Sequence, residues 1–207
     1  FKYDVSGNGV KQSMTETLIP KYLSNGGILI DQCEVLKIQS ENTKNFIRVR
    51  LKNNEVKTFS SDFIFLSAGA INSSHLLLKS GFKKNVGRNF KMHPTFKFIS
   101  LFDEKINFER VGVPVHQVKE FSPRISMGCS ISSRGMLSVG LNDTNNLDYI
   151  PEWEKMSTYY SMICPEGSGM IKNIPMFNSP FVSFSLTNND YDDIYFGIEK
   201  LAQLLLS

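Results

Sequence analysis

Apolar residues along the chain recur in two periods, and the change of period divides it. Ile47, Val49 and Leu51 alternate with Arg48, Arg50 and Lys52, the pattern of a half-buried strand. The surrounding runs "GILIDQCEVLKI", "NFIRVRLK" and "VKTFSSDFIFL" predict three strands, with Asn53-Asn54 as a turn because asparagine tolerates left-handed backbone. Phe63 to Leu66 lacks alternation, which predicts a strand covered on both faces. The small residues Ser67-Ala68-Gly69-Ala70 follow it. A helix then runs through Leu76, Leu77 and Leu78 to Lys79 and Gly81, with Asn72, Ser73 or Ser74 as its cap. Upstream, Ser13-Met14-Thr15-Glu16 fits a capping box and predicts a helix through Leu18, Ile19, Tyr22 and Leu23, kinked early by Pro20. Residues 1–12, with Gly7 and Gly9, read as a loop.

Beyond "VGRNFKMHP" the helical period disappears. "TFKFISLF", "VPVHQVKEF", "ISMGCSI", "STYYSMIC", "GMIKNI" and "PFVSFSL" are short, aromatic or β-branched, and separated by Gly, Pro, Asn and Asp, which predicts an antiparallel sheet. From Asp190 the period returns: Ile194, Ile198, Leu201 and Leu205 share one helical face. The fold class is therefore α/β in the first part and α+β in the second.

A length of 207 residues accommodates one large or two small domains, and 41% hydrophobic with 21% charged residues is ordinary for a folded protein. The net charge of +3 comes from scattered lysines, which argues against a nucleic-acid partner. Cys33, Cys129 and Cys164 form neither a disulfide framework nor a zinc motif, which favours a reducing compartment. No apolar run is long enough to span a membrane, so a cytoplasmic location is the expectation. The chain opens without methionine and stops inside the apolar pattern "EKLAQLLLS", the mark of a piece of a longer protein.

A strand, a small-residue turn and a helix start make a crevice where backbone can approach a nucleotide. The same stretch also serves as a well-packed corner. "SAGAINSSHLLLKSG" followed by "VGRNFKMHP" resembles the glucose-methanol-choline (GMC) oxidoreductases, with "GNGVKQSMTETLIPKYLSNGGILI" upstream and "SPFVSFSLTNNDYDDIYFGIEKLAQLLL" downstream similar to other family segments. The resemblance implies FAD as cofactor and two parts: residues 1–92 within a Rossmann-type FAD-binding domain, and 93–207 in a substrate domain on an antiparallel sheet. It implies oxidation of a small-molecule alcohol by hydride transfer to the flavin N5, with an unspecified electron acceptor. The family's opening GxGxxG loop and its C-terminal histidine are not in the chain, so the chain alone is expected to be inactive and no residue is assigned as catalytic.

By motif position, the resemblance implies cofactor contacts at Val35, Ala68, Gly69, Asn89 and His93. Val35 reads equally as a core strand residue. Met92 stands where family members usually have Asp, which leaves His93 a structural part of its loop. His116 reads as a structural strand histidine and His75 as exposed or capping. No histidine spacing marks a metal site, and "NNDYDDIY" lacks the ligand alternation of a calcium loop, its acids instead complementing a helix dipole. Phe96, Phe98, Tyr159, Tyr160, Phe181 and Phe184 line a pocket or fill a core. The rival functions are a nicotinamide-dependent dehydrogenase and a catalytically silent scaffold.

Overall fold

The computed structural model describes residues 13–108 and 116–207. The loop expected over 1–12 and the Val113–Val115 part of "VPVHQVKEF" lie outside them. The chain forms two compact units and passes between them after Gly27, Met92, Glu166 and Leu186. One unit holds Ile28–Met92 and Gly167–Leu186; the other holds Phe1–Gly27, His93–Glu166 and Thr187–Ser207.

In the first of these units, β1 (Glu34–Glu41), β2 (Lys44–Arg50) and β3 (Val56–Ser61) form an antiparallel sheet in that order. Ile38 and Val49 are buried, as the alternation requires, and Asn54 makes its turn at φ +63°. The helix α2 (Gly69–Lys79) packs on β1, tied by the Ser80 hydroxyl, which accepts from the Ile38 amide at 2.8 Å and donates to the Leu76 carbonyl at 2.7 Å. Its end is a Schellman motif: the Phe82 amide donates to Leu77 and the Gly81 amide to Leu78, with Gly81 at φ +95°. The start differs from the sequence expectation. The helix already begins at Gly69, so Asn72, Ser73 and Ser74 sit inside it, and the N-cap is Ala68 with no side-chain bond.

Phe63 to Leu66 is not a strand. Strand pairing needs a neighbour, and none of the described residues pairs with it; Phe63 and Phe65 are 81% and 91% exposed instead of covered. Ile28, Leu29 and Ile30 are likewise exposed, and the pairing of "GILIDQCEVLKI" begins only at Glu34. A second antiparallel sheet completes this unit, in the order β10 (Phe181–Ser185), β9 (Ser168–Lys172), β4 (Arg88–Phe90). The described sheets are all antiparallel, so a Rossmann arrangement of parallel strands is not among them.

The other unit is built on a four-stranded antiparallel sheet, β5 (Thr95–Leu101), β8 (Met156–Ile163), β7 (Ile125–Cys129) and β6 (Gln117–Val118). On one face, α3 (Arg134–Asp143) and the 3₁₀ helix Leu147–Lys155 bury Leu137, Leu141 and Met156, with Ile99, Ile150 and Trp153 packed against them. α4 (Asn188–Leu206) crosses β7 and β8, burying Ile194, Gly197 and Leu201; a side chain at 197 would run into the Ser161 hydroxyl. Arg124 pairs with Asp193 of α4, and the Phe121 and Phe196 rings meet edge-on at 5.2 Å.

α1 (Leu18–Ser24) also belongs to this unit, and its start corrects the expected capping box. Ser13 uses its carbonyl to receive the Glu16 amide and the Thr17 hydroxyl, and its own hydroxyl meets Thr15, so Ser13 does not cap the helix. Pro20 lies in the first turn, where its missing N–H has no helical partner to lose.

Candidate functional site

In the unit of Ile28–Met92 and Gly167–Leu186, a cleft of about 620 Å³ opens where α2 begins. One wall is the turn and first helical turn, Ser67, Gly69, Ala70, Ser73 and Ser74; the other is β4 with its approach, Gly87, Arg88, Asn89, Phe90 and Lys91; Ile171 of β9 is also in the lining. The local sequence dictates this shape. Gly69 sits at φ +78°, a conformation that glycine enters without strain, and a Cβ there would meet nothing within 4 Å. Small side chains at 67–70 thus leave the helix start open instead of plugged.

The opposite wall depends on a second glycine and a bulge. Gly87 (φ +71°) lies so close to β9 that a Cβ would collide with the Ile171 carbonyl, and the Ile171 amide donates to the Gly87 carbonyl at 2.7 Å. Arg88 faces Met170 and Phe90 faces Gly169, which leaves Asn89 as the extra residue, in left-handed backbone at φ +55°. Phe90 is anchored edge-on against Phe184, with ring centres 6.4 Å apart. The Lys91 ammonium donates to the Gly167 carbonyl at 2.7 Å.

The electrostatics favour an anion. The first turn of α2 carries no acidic residue and no side-chain cap, so its amides and the positive end of the helix dipole favour negative charge there. Arg88 and Lys91 are the charged side chains of the lining, and Arg88 has no ion-pair partner among the described residues. Hydroxyls at Ser67, Ser73 and Ser74 add neutral donors. An open backbone turn, first-turn helix amides, two cations and hydroxyls form a donor set that fits a phosphate-bearing nucleotide cofactor.

The five sequence-derived cofactor positions are not gathered equally. Gly69 and Asn89 line the cleft from opposite walls, and Ala68 is the N-cap between the lining residues Ser67 and Gly69. Val35 lies in β1 beside a register shift, 39% exposed, outside the cleft lining. His93 belongs to the other unit, where its Nδ1 lies 3.3 Å from the Ile163 carbonyl oxygen. His75 is neither exposed nor a cap: its Nδ1 pairs with Asn173 Oδ1 at 2.6 Å while the Asn173 amide donates to the His75 carbonyl at 3.2 Å, joining α2 to the end of β9. His116 is exposed immediately before β6. Ser73 and Ser74 were read from the sequence only as helix caps, and Arg88, Lys91 and Ile171 were not assigned to the site. The cations of "GRNFK" were a readable signal, whereas the approach of Ile171, more than eighty residues away, had none.

The Ser67–Ala70 turn, the start of α2 and the bulged strand β4 all lie inside one segment, and that segment matches a class of oxidoreductases. Residues 2–95 match the GMC oxidoreductase family, whose N-terminal region binds FAD. The chain is 33% identical over 215 residues to an uncharacterized GMC-type oxidoreductase, y4nJ, of Sinorhizobium fredii, covering 97% of this chain and 41% of that protein. It is 21% identical over 221 residues to the long-chain-alcohol oxidase FAO4A of Arabidopsis thaliana, covering 95% of this chain and 30% of that protein. The chain belongs to the GMC oxidoreductase family, and it spans less than half the length of these two relatives.

Proposed function

We propose that the chain is part of an FAD-dependent oxidoreductase acting on an alcohol, and that the cleft at the start of α2 holds part of the FAD. The observation that carries this reading is the open helix start at Gly69–Ala70 facing the Asn89 bulge, inside the segment that matches the family. The unit of Ile28–Met92 and Gly167–Leu186 then contributes to a Rossmann-type FAD-binding domain, and the four-stranded unit to the substrate domain. When bound, FAD supplies the hydride acceptor for a CH–OH donor.

The chain's own residues bind and orient. The first-turn amides of α2 and the Arg88 guanidinium neutralise anionic groups, the serine hydroxyls fix them, and the Asn89 bulge leaves one residue of β4 out of the ladder at the cleft. Val35 and His93 take part only if the complete protein brings them to the cofactor. Removal of the alcohol proton needs a base, a role assigned to no residue of the cleft lining, and the 207-residue chain alone is expected to be inactive. The printed activity of the Arabidopsis relative, long-chain-alcohol oxidation, supports an alcohol as substrate.

An absorbance scan of the full-length protein tests the reading. A flavin spectrum that an alcohol bleaches under anaerobic conditions, and that Ala70→Phe abolishes by filling the cleft at a strain-free helical position, is the expected result. A folded, colourless full-length protein contradicts it.

A further inference from the structure

The walls of the cleft at the start of α2 come from separate stretches of chain, so their distance apart must be set by whatever joins them. One wall is α2 itself. The other is β4, which is fixed to β9 by the pairs Arg88–Met170 and Phe90–Gly169 and by the Ile171 amide, which donates to the Gly87 carbonyl at 2.7 Å. The place of α2 against β9 therefore sets the width of the cleft.

Two hydrogen-bonded side chains tie the helix to strands, and they lead to different places. Ser80 accepts from the Ile38 amide of β1, a strand outside the cleft lining. His75 follows the lining residue Ser74 and bonds to Asn173, which follows β9 two positions after the lining residue Ile171. This second tie runs from one wall to the other.

Its atoms are matched in only one way. The His75 carbonyl oxygen can only accept, so the Asn173 Nδ2 at 3.2 Å donates to it and orients the carboxamide, which leaves Oδ1 2.6 Å from the ring. An amide oxygen cannot donate, so His75 Nδ1 carries the hydrogen. Each bond holds the carboxamide in the orientation that the other needs. Both side chains are half-buried, where water replaces a lost partner incompletely.

We propose that His75 and Asn173 are positioning residues for the cofactor: neither lines the cleft, and their reciprocal hydrogen bonds hold the start of α2 at the distance from β4 and β9 that FAD requires. This rests on the cofactor reading above and adds the device that sets the width of its site.

Variants of the full-length protein, prepared without FAD, test the pair. His75→Phe keeps a ring and removes the donor. His75→Asn keeps a donor, because asparagine Nδ2 and histidine Nδ1 both stand two bonds beyond Cβ. Asn173→Leu breaks the same tie from the strand side, and Ser80→Ala cuts the tie to β1. FAD added back, followed by quenching of flavin fluorescence, should bind about tenfold more weakly to His75→Phe and to Asn173→Leu. It should bind within about threefold of wild type to His75→Asn and to Ser80→Ala, although Ser80→Ala lowers the urea midpoint as well. The double variant His75→Phe/Asn173→Leu should lose no more affinity than the weaker-binding single one, since both changes break one device. Without FAD, the Ile171 amide should exchange with deuterium about tenfold faster in His75→Phe than in wild type, and at the wild-type rate in Ser80→Ala. Wild-type FAD affinity in His75→Phe and Asn173→Leu, no rescue by His75→Asn, or equal weakening in Ser80→Ala would overturn the proposal. A wild-type protein that takes up no FAD sinks the cofactor reading. Unchanged exchange at Ile171 in His75→Phe sinks the positioning pair, whether or not FAD binds.

Discussion

Gly87 is the residue at which the cleft is most sensitive to a single carbon atom. Gly87→Ala combines left-handed backbone with a collision against the Ile171 carbonyl, so a loss of roughly 2–3 kcal/mol in unfolding free energy is expected from denaturant titration. An unchanged midpoint would show that β4 and β9 do not approach so closely. A thiol gives a second test at this scale. Burial pushes the Cys129 pKa up, so less of it is thiolate at a given pH than for an ordinary thiol. Alkylation of Cys129 by iodoacetamide, followed by mass spectrometry, should therefore become appreciable only at higher pH, after the exposed Cys164 has reacted. Equal labelling of both at pH 7.5 would contradict this. Individual residues were legible in the sequence where one local rule acts: Gly69, Gly81 and Asn54 adopt the left-handed backbone that their side chains permit. His75 was not, because its partner Asn173 lies ninety-eight positions away and no local pattern announces it.

Among the elements, α4 shows how sequence and packing agree. Thr187 and Asp190 form a capping box, in which the Thr187 hydroxyl accepts the Asp190 amide and the Asp190 carboxylate accepts the Thr187 amide at 2.8 Å. The carboxylate also accepts the Glu166 amide at 2.7 Å and is 1% exposed. Asp190→Ala strands these donors, and a loss of about 2–4 kcal/mol is expected from thermal or urea unfolding; less than 1 kcal/mol would show that solvent replaces the carboxylate. The acids at the start of α4 were read as dipole partners, and the cap is a further use of one of them. The strand readings succeeded where the segment finds a partner, whether the next strand, as for β1 and β2, or a distant one, as for β5 and β8. They failed at Phe63–Leu66, because an apolar run states what a segment buries, not which partner buries it. In the 207-residue chain the amides of Phe63–Leu66 should exchange with deuterium at the earliest time points, while those of Ile47 and Val49 are protected; slow exchange at 63–66 would mean that this segment is paired.

For the molecule as a whole, the chain changes unit at Met92, near the change of hydrophobic period, but neither the place of α1 in the unit of His93–Glu166 nor the return of Gly167–Leu186 to the unit of Ile28–Met92 was legible in the sequence. β9 and β10 carry the same alternation as the strands of the other unit, so pattern alone gives them no address; Gly87 and Gly169, which admit close backbone contact, do. Ile171 reaches the cleft through this excursion, which is why the site was half legible: its two motifs could be read, its far strand could not. The claim on which the account depends is that α2's first turn and the β4 bulge hold one cofactor between them. Hydrogen exchange with and without added FAD measures this directly. Slower exchange at Gly69–Ser74 together with Arg88–Lys91, and removal of both effects by Ala70→Phe, is the predicted result. FAD that binds without protecting either wall, or that protects them equally in Ala70→Phe, would contradict it.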